Sequence, residues 1–249
     1  MKVTYIHHSS FCVEIEDCVF LFDYFEGDIP QFDDSKKIFV LSSHMHQDHF
    51  DFKIFELSKQ YSHVNYILSK DIKDKYNRKY MEKRGVSNEA LDSIIFIKEN
   101  ESLTLNGDKE GLLGNLKVET LTSTDEGVAF ILTYQGKTMY HAGDLHWWTW
   151  IGETNEDYEE MKECYSKEIK KIEGRHFDVA MVVLDPRLKD RFWWGFDLFM
   201  KATDTTAVFP MHFWKDYSVI KGIKELPCSE GYRDSIMELE HENQEFAID

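Results

Sequence analysis

The sequence has few cysteines, few prolines and no long hydrophobic run. No apolar stretch approaches the roughly 18 residues that a membrane-spanning helix needs, and the first residues lack the unbroken apolar segment of a secretory signal. The four cysteines form no Cys-x-x-Cys pair, which argues against a structural zinc knuckle and favours reduced thiols. We therefore expect a cytoplasmic protein that is not bound to a membrane.

Positive charge is also scarce. Lys and Arg number 29 against 46 Asp and Glu, so the formal net charge is −17. An acidic surface repels phosphate backbones, and we therefore expect no nucleic acid partner, whereas a small-molecule substrate remains open. One basic group, Arg187, Lys189 and Arg191, either binds a phosphate or carboxylate of a substrate or forms an ordinary surface turn. A homo-oligomer is left open.

The chain contains no Pro-, Ser- or Gly-rich linker and no low-complexity block, which predicts a single domain over residues 1–249. Apolar and polar residues alternate through the first forty residues, as in short antiparallel strands. Residues 38–41 form a continuous apolar run typical of a buried strand, and residues 155–172 have the clearest helical pattern. Strands and helices occur in two similar halves, an order that suits two packed sheets with helices on their outer faces.

Residues 44–49 place three imidazoles and one carboxylate within six residues, in the sequence His-Met-His-Gln-Asp-His. Alternate residues of an extended segment point the same way, so His44 and His46 can bind one cation. Asp48 and His49 follow a turn and would face a second cation about 3.5 to 4 Å from the first, which is the spacing of two-metal hydrolytic sites. The alternative is a polar surface loop whose histidines cluster by chance.

This motif resembles the His-x-His-x-Asp-His signature of the metallo-β-lactamase-fold hydrolases, which follows a buried strand. The resemblance extends over nearly the whole chain, because Asp23 closes an early strand, Gly143 and Asp144 follow a later strand, and His212 follows another. It implies an α/β fold of the metallo-β-lactamase type, a four-layer αββα sandwich with metals bound at the edges of its sheets.

The resemblance also implies a ligand set for two divalent metal ions, made of imidazoles and carboxylates. The residues that match ligands are His44 and His46 for the first ion, Asp48, His49 and His212 for the second, and Asp144 as the bridge between them. Asp23 is expected to fix the tautomer of a ligating histidine through a hydrogen bond.

One part of the family pattern is missing. The family usually supplies a third histidine to the first ion from the loop before the strand that precedes Gly143, and here residues 122–127 contain no histidine. Asp125 is the preferred substitute, because a carboxylate can bind zinc, manganese or iron; Glu126, Ser123 or a water molecule are the alternatives. Zinc is the first expectation for the two ions, but a carboxylate in place of an imidazole favours harder ions, so manganese or iron remain open.

Four residues are candidates for lining a substrate pocket: His8, His146, Trp147 and Trp194. His8 lies where family members that act on lactones have a Gly-His-Ala-Ser-like turn; it lines the site, supports a ligand or only stabilises the turn. His146 follows Asp144 by two positions and is expected to face the substrate. The aromatic runs at 147–150 and 193–194 either wall a pocket for an apolar or ring-shaped ligand or cover the core and a dimer surface.

Together these residues predict a metal-dependent hydrolase of small molecules. Water shared by two divalent cations loses a proton near neutral pH and can attack an ester, a lactone or a similar bond. Asp48 is the expected catalytic residue, because its carboxylate can orient that water and pass a proton to the leaving group. Two alternatives stay open: a phosphodiesterase or ribonuclease-like enzyme, which the negative charge disfavours, and a metal-binding scaffold without catalysis.

Overall fold

The structure, a computed structural model, describes residues 1–105 and 116–249, and these form two compact units. The first unit contains residues 1–98 and 241–249, and the second contains residues 99–240. Each unit has its own mixed sheet and its own helices. The expectation of a single domain over residues 1–249 stays a prediction.

The first unit is built on a seven-stranded sheet in the order β13-β1-β2-β3-β4-β5-β6. Its strands are β1 (Lys2–His7), β2 (Ser10–Ile15), β3 (Cys18–Phe22), β4 (Lys37–Ser42), β5 (Val64–Ser69), β6 (Ile94–Ile97) and β13 (Gln244–Ala247). The strands from β13 to β3 pair antiparallel, which confirms the predicted antiparallel opening, and β3 to β6 pair parallel. All six residues of β4 are buried, as its continuous apolar run predicts.

Short helices connect the parallel strands of the first unit. They are α1 (Leu57–Gln60), α2 (Lys70–Lys75), α3 (Arg78–Lys83) and α4 (Asn88–Asp92). A 3-10 turn, Phe52–Glu56, comes directly before α1. Asp51 begins this turn by accepting a hydrogen bond from the backbone N–H of Lys53 at 2.8 Å, which is the role of an N-terminal cap.

The second unit is built on a six-stranded sheet in the order β12-β11-β10-β9-β8-β7. Its strands are β7 (Ser102–Leu105), β8 (Leu116–Thr122), β9 (Val128–Tyr134), β10 (Lys137–His141), β11 (His176–Val183) and β12 (Asp204–Met211), and its helices are α5 (Asn155–Lys170), α6 (Trp194–Ala202) and α7 (Ser218–Glu225). The strands from β7 to β10 pair antiparallel, and β10 to β12 pair parallel. The predicted long helix is confirmed as α5, which Thr154 and Asp157 begin with a reciprocal capping box.

Parallel pairing brings polar residues together at one edge of each sheet. In the first unit Phe22 of β3 lies opposite Leu41 of β4, so Asp23 comes next to the residues that follow Ser42. In the second unit the register pairs His141 of β10 with Met181 of β11, and Val183 of β11 with Met211 of β12. The segments that leave these three strands at their carboxyl ends therefore start beside one another, as in other sheets whose sites lie beyond the strand ends.

Two further expectations concern the thiols and the membrane. The four cysteines are all free thiols, as the sequence predicted. Within residues 1–105 and 116–249, no helix combines the length and the apolar composition that crossing a membrane requires.

Candidate metal centre

Asp23 accepts hydrogen bonds from several polar residues at the edge of the first sheet. Its side chain is fully buried and accepts three hydrogen bonds: from Ser43 N–H at 2.7 Å, from Ser43 Oγ at 2.6 Å, and from His49 Nδ1 at 2.7 Å. Because Nδ1–H of His49 donates to a carboxylate, the second ring nitrogen, Nε2, carries the lone pair that a metal ion can accept. This is the contact expected of Asp23 from the sequence.

Asp23 also orients the imidazole of His44, because Ser43 bonds to both residues. The Ser43 hydroxyl gives its hydrogen to Asp23, so at its 3.0 Å contact with His44 Nδ1 it acts as the acceptor. The lone pair of His44 is therefore on Nε2, which lies 3.0 Å from Nδ1 of His46. The two imidazoles thus present one nitrogen each toward the same small volume, as the spacing of the motif predicted.

A second group in the first unit consists of His8, Asp48 and His49. Each offers one ligand atom, and these atoms lie within 4.8 Å of one another. Nε2 of His8 is 3.5 Å from Oδ2 of Asp48, and Nε2 of His49 is 4.0 Å from the same oxygen. His8 therefore stands among the expected ligands of the second ion rather than apart from them. We call His8, His44, His46, Asp48 and His49 the histidine cluster.

In the second unit, Asp125 and Asp144 each offer a carboxylate oxygen, and the two oxygens lie within 4.8 Å of each other. Thr124 ties their segments together, because its hydroxyl donates to the carbonyl of His146 at 2.6 Å and accepts from the N–H of His146 at 2.9 Å. Ser123, an alternative candidate ligand, instead accepts a hydrogen bond from the Asp125 N–H at 3.1 Å. The turn without a histidine thus places a carboxylate beside the expected bridging residue.

His212 completes the polar group of the second unit. Its Nε2 lies 3.5 Å from Oδ1 of Asp144, and its Nδ1 lies 2.8 Å from Oδ2 of Asp185. The Asp185–His212 pair repeats the Asp23–His49 arrangement, with a fully buried carboxylate on Nδ1 and with Nε2 directed toward the other acidic side chain. We call Asp125, Asp144 and His212 the aspartate cluster.

Arg187 forms hydrogen bonds to Asp185, the carboxylate partner of His212. Its Nε and Nη2 contact the Asp185 carboxylate at distances from 2.6 to 3.0 Å, and its backbone N–H donates to Oδ1 at 2.8 Å. Burial alone would raise the pKa of Asp185, but the hydrogen bonds from His212 and Arg187 outweigh it and lower the pKa to about 2. Asp185 is therefore ionised at neutral pH. Asp185 has no part in the sequence motifs, although its position at the end of β11, the neighbour of β12, is a signal of a functional residue.

Tryptophans surround the Arg187 side chain and the His212 ring. The guanidinium of Arg187 lies 5.1 Å from the ring centroid of Trp150 and 5.3 Å from that of Trp214, and Trp150 stacks on Trp148 at 5.3 Å. The His212 ring is 5.5 Å from Trp148 and 6.0 Å from Trp214. An aromatic wall of Trp148, Trp150 and Trp214 thus stands beside the aspartate cluster.

Three of the four residues expected to line a substrate pocket belong to the second unit. His146 is fully buried, and desolvation lowers its pKa to about 3, so the ring is neutral. Trp147 and Trp194 contact each other with ring centroids 4.9 Å apart. The fourth, His8, is in the histidine cluster described above. Their contact with a substrate stays a prediction.

Three residues of the candidate metal centre have a left-handed backbone conformation. His8, Asp23 and His212 have positive φ angles of 52°, 44° and 67°, in the left-handed region that costs a non-glycine residue about 1 to 2 kcal/mol. Gly143, before Asp144, has φ of 52°, which glycine adopts without that cost. Such strain persists only where surrounding contacts hold the residue in place, and it is typical of functional sites.

The donor chemistry of both clusters suits divalent cations. Imidazole nitrogens and carboxylate oxygens are the groups that bind zinc, manganese and iron in proteins. Asp23 and Asp185 hold two of the rings in the tautomer that binding requires. The residues present therefore fit the metal ions that the sequence implied.

Comparison with known proteins identifies the family and the fold. Residues 2–152, more than half of the chain, match the family model of the beta-lactamase superfamily domain. Igni18, a metallo hydrolase from the archaeon Ignicoccus hospitalis KIN4/I, is 16% identical with a TM-score of 0.62, and the match covers 100% of this chain and 99% of that one. No curated protein sequence matches the chain.

Two other solved structures show how varied the proteins of this fold are. Human tRNase Z, short form, is 16% identical with a TM-score of 0.53, covering 100% of both chains. The isothiocyanate hydrolase from Delia radicum gut bacteria is 14% identical with a TM-score of 0.52, covering 100% of this chain and 99% of that one. At these identities the likeness shows the fold alone, and it confirms the α/β fold of the metallo-β-lactamase type. The fold family binds a dinuclear metal site, and the chain belongs to the metallo-β-lactamase superfamily of metal-dependent hydrolases.

Proposed function

We propose that the chain hydrolyses an ester, a lactone or a similar bond of a small molecule, with two divalent ions bound by residues of the histidine and aspartate clusters. The observation that carries the proposal is the repeated carboxylate–imidazole pair, Asp23–His49 in one unit and Asp185–His212 in the other. Each pair turns Nε2 outward as a ligand atom.

The proposed ligands follow the family resemblance and the contacts within each unit. The first ion would be held by His44, His46 and Asp125, the second by His8, Asp48, His49 and His212, and both by Asp144. Zinc is the preferred ion, and manganese or iron is the alternative because carboxylates form a large share of the donors. When bound, a pair of such ions lowers the pKa of water from 15.7 toward about 7 and polarises the bond to be broken.

The chain's own groups would supply the proton transfers and the orientation. Asp48 is the proposed catalytic residue, because its carboxylate is partly exposed and lies 3.5 Å from His8 and 4.0 Å from His49 through the same oxygen. The Asp48 carboxylate can accept a proton from the attacking water and deliver it to the leaving group. The aromatic wall can hold an apolar part of the substrate beside His212.

A small apolar substrate is preferred over a nucleic acid for two reasons. The net charge of −17 opposes binding of a polyanion, and tryptophans rather than lysines surround His212. The test is a panel containing an aryl ester, a lactone, a thioester, an isothiocyanate and bis(p-nitrophenyl) phosphate. Hydrolysis of the ester or lactone is expected. Turnover of the phosphodiester alone would favour the phosphodiesterase alternative, and tight metal binding without any turnover would favour the scaffold.

Metal binding is tested separately by elemental analysis. The wild-type chain should bind two ions, whereas His44→Ala and His212→Ala should each lose metal and turnover, because each removes one proposed ligand. His63→Ala is the matched control, since His63 is exposed outside both clusters. Retention of two ions and full turnover by His44→Ala would refute the proposed site.

A further inference from the structure

The second unit carries a surface groove of about 540 Å³ whose walls are three tryptophans. Trp147 comes from the segment before α5, and Trp193 and Trp194 come from the start of α6. Leu198 and Ala202 follow on α6 and line the same groove. Its volume is within the range of about 300 to 1,000 Å³ that is usual for small-molecule sites.

The planes of neighbouring tryptophan rings in the groove are inclined to one another at large angles. Trp193 and Trp194 are nearly perpendicular, at 82° with centroids 6.5 Å apart, and Trp147 is tilted by 45° from Trp194 at 4.9 Å. The indole N–H of Trp147 donates to the carbonyl of Tyr158, and that of Trp193 donates to the carbonyl of Asp190, both at 3.0 Å. The indole N–H groups of these two rings are therefore already bonded within the protein, so the rings contribute apolar and π surface to the groove.

Charge in the groove favours a cation. Its charged lining residues are Glu173, Asp197 and Lys201, which together carry one net negative charge. Lys201 is bound to Asp197 at 2.9 Å, and Tyr232 donates to the other oxygen of Asp197 at 2.8 Å, so Glu173, which is exposed, supplies the uncompensated charge. Trp147 already has one ammonium group against its ring, Nζ of Lys162 at 5.2 Å from the centroid. The net charge of −17 also concentrates cations around the protein.

We propose that this tryptophan groove binds a small organic cation with a methylated ammonium group. Several aromatic faces around one volume attract a cation through their quadrupoles. A methylated ammonium loses little hydration on entry and presents methyl groups to the rings, Leu198 and Ala202, whereas a primary ammonium would lose strong hydrogen bonds to water. Glu173 at the edge adds a long-range attraction.

The groove is distinct from the aromatic wall beside the aspartate cluster, although the two are adjacent in sequence. Trp148 donates from its indole N–H to the carbonyl of Asp144 and lies 5.5 Å from His212. Trp147, the preceding residue, instead packs on Trp194 and Lys162. The cation site therefore does not depend on the proposed metal ions or on the proposed hydrolysis.

The test compares choline with 3,3-dimethylbutan-1-ol, a neutral molecule of nearly the same shape in which carbon replaces nitrogen. Both are titrated into the full-length protein and followed by calorimetry and tryptophan fluorescence. We expect choline to bind about tenfold more tightly than the alcohol, because only choline interacts with the ring quadrupoles. Raising the salt concentration or replacing Glu173→Gln should weaken choline binding and leave alcohol binding unchanged.

Substitutions within the groove identify the site. Trp194→Ala should abolish choline binding, and Trp194→Phe, which keeps an aromatic ring and guards against misfolding, should weaken it severalfold. Trp150→Phe, in the aromatic wall, is the matched control and should bind choline like the wild type.

The proposal is overturned if the alcohol binds as tightly as choline, or if folded Trp194→Ala retains choline binding. It is equally overturned if choline binding is lost in Trp150→Phe but not in the groove variants. A concentration-dependent dimer that Trp194→Ala dissociates would show that a second copy of the chain covers the groove instead.

Discussion

Replacement of Asp23 by asparagine tests the orientation of the imidazoles in the first unit. The substitution keeps the size of the side chain but removes its charge and replaces one acceptor oxygen with an NH₂ donor. The remaining oxygen can still accept from the N–H of Ser43, which lies at 2.7 Å. The new NH₂ group would then face Ser43 Oγ and His49 Nδ1, which lie 2.6 and 2.7 Å from the original oxygen.

The imidazoles must change tautomer to meet that donor. His49 would have to accept at Nδ1 and would carry its hydrogen on Nε2, and the Ser43 hydroxyl could turn to donate to His44 Nδ1. Nε2 of both rings would then be protonated in the metal-free protein. Loss of such a carboxylate partner typically lowers metal affinity 10- to 100-fold. Two charge-assisted hydrogen bonds, each worth about 1.5 to 3 kcal/mol, would be replaced by weaker ones, so we expect a stability loss of about 1 to 3 kcal/mol.

The assay is competition for metal with a chromophoric chelator, performed on Asp23→Asn that circular dichroism shows to be folded. Asp51→Asn is the control, because Asp51 caps a turn near His49 and asparagine caps equally well. The control should bind metal like the wild type. If Asp23→Asn binds metal within twofold of the wild type, the reasoning about the tautomers is wrong.

Three further substitutions test local packing, capping and charge. A Cβ at Gly195 would lie 2.5 Å from the buried ring of His146, so Gly195→Ala should cost about 1 to 3 kcal/mol in chemical unfolding, whereas Gly231→Ala, with nothing within 4 Å, should be nearly neutral. Thr154→Ala removes the cap of α5 and should lower stability by about 1 kcal/mol, measured as a fall in the urea midpoint. Burial tends to raise the pKa of Asp178, but the Thr138 N–H and Lys137 outweigh it and lower the pKa. The stabilisation by Asp178 is therefore present above its unfolded pKa of about 3.9 and lost as the pH falls through the folded pKa. Asp178→Asn should be less stable than the wild type at pH 7, and the urea curves of the two proteins should converge as the pH falls below the folded pKa of Asp178.

Local patterns in the sequence predicted most of the strands and helices. Alternation in residues 2–23 and the apolar run of β4 identified the opening of the first sheet, and α5 has both a start signal and a stop signal. The strands β7 and β13 were missed because each has four residues with little burial. β13 pairs with β1 from the opposite end of the chain, and no local pattern encodes such a contact.

The residues of the candidate metal centre were likewise predictable where they are close in sequence and not where they are far apart. The motif at residues 44–49 is local and placed His44 and His46 side by side. Asp185 was missed because its partner, His212, is 27 residues away, and only the parallel pairing of β11 with β12 brings them together. The role of His8 stayed open between lining the site, supporting a ligand and stabilising a turn, because its contact with Asp48 depends on the meeting of two loops.

The central claim is that the residues of the histidine and aspartate clusters bind a pair of metal ions. The most direct measurement is a crystal structure of the metal-loaded protein with anomalous diffraction recorded at the absorption edge of the bound metal. The account predicts two anomalous peaks about 3.5 to 4 Å apart, one bound by His44, His46 and Asp125 and the other by His49 and His212, with Asp144 touching both. A single peak, or peaks that lie away from these residues, would contradict it.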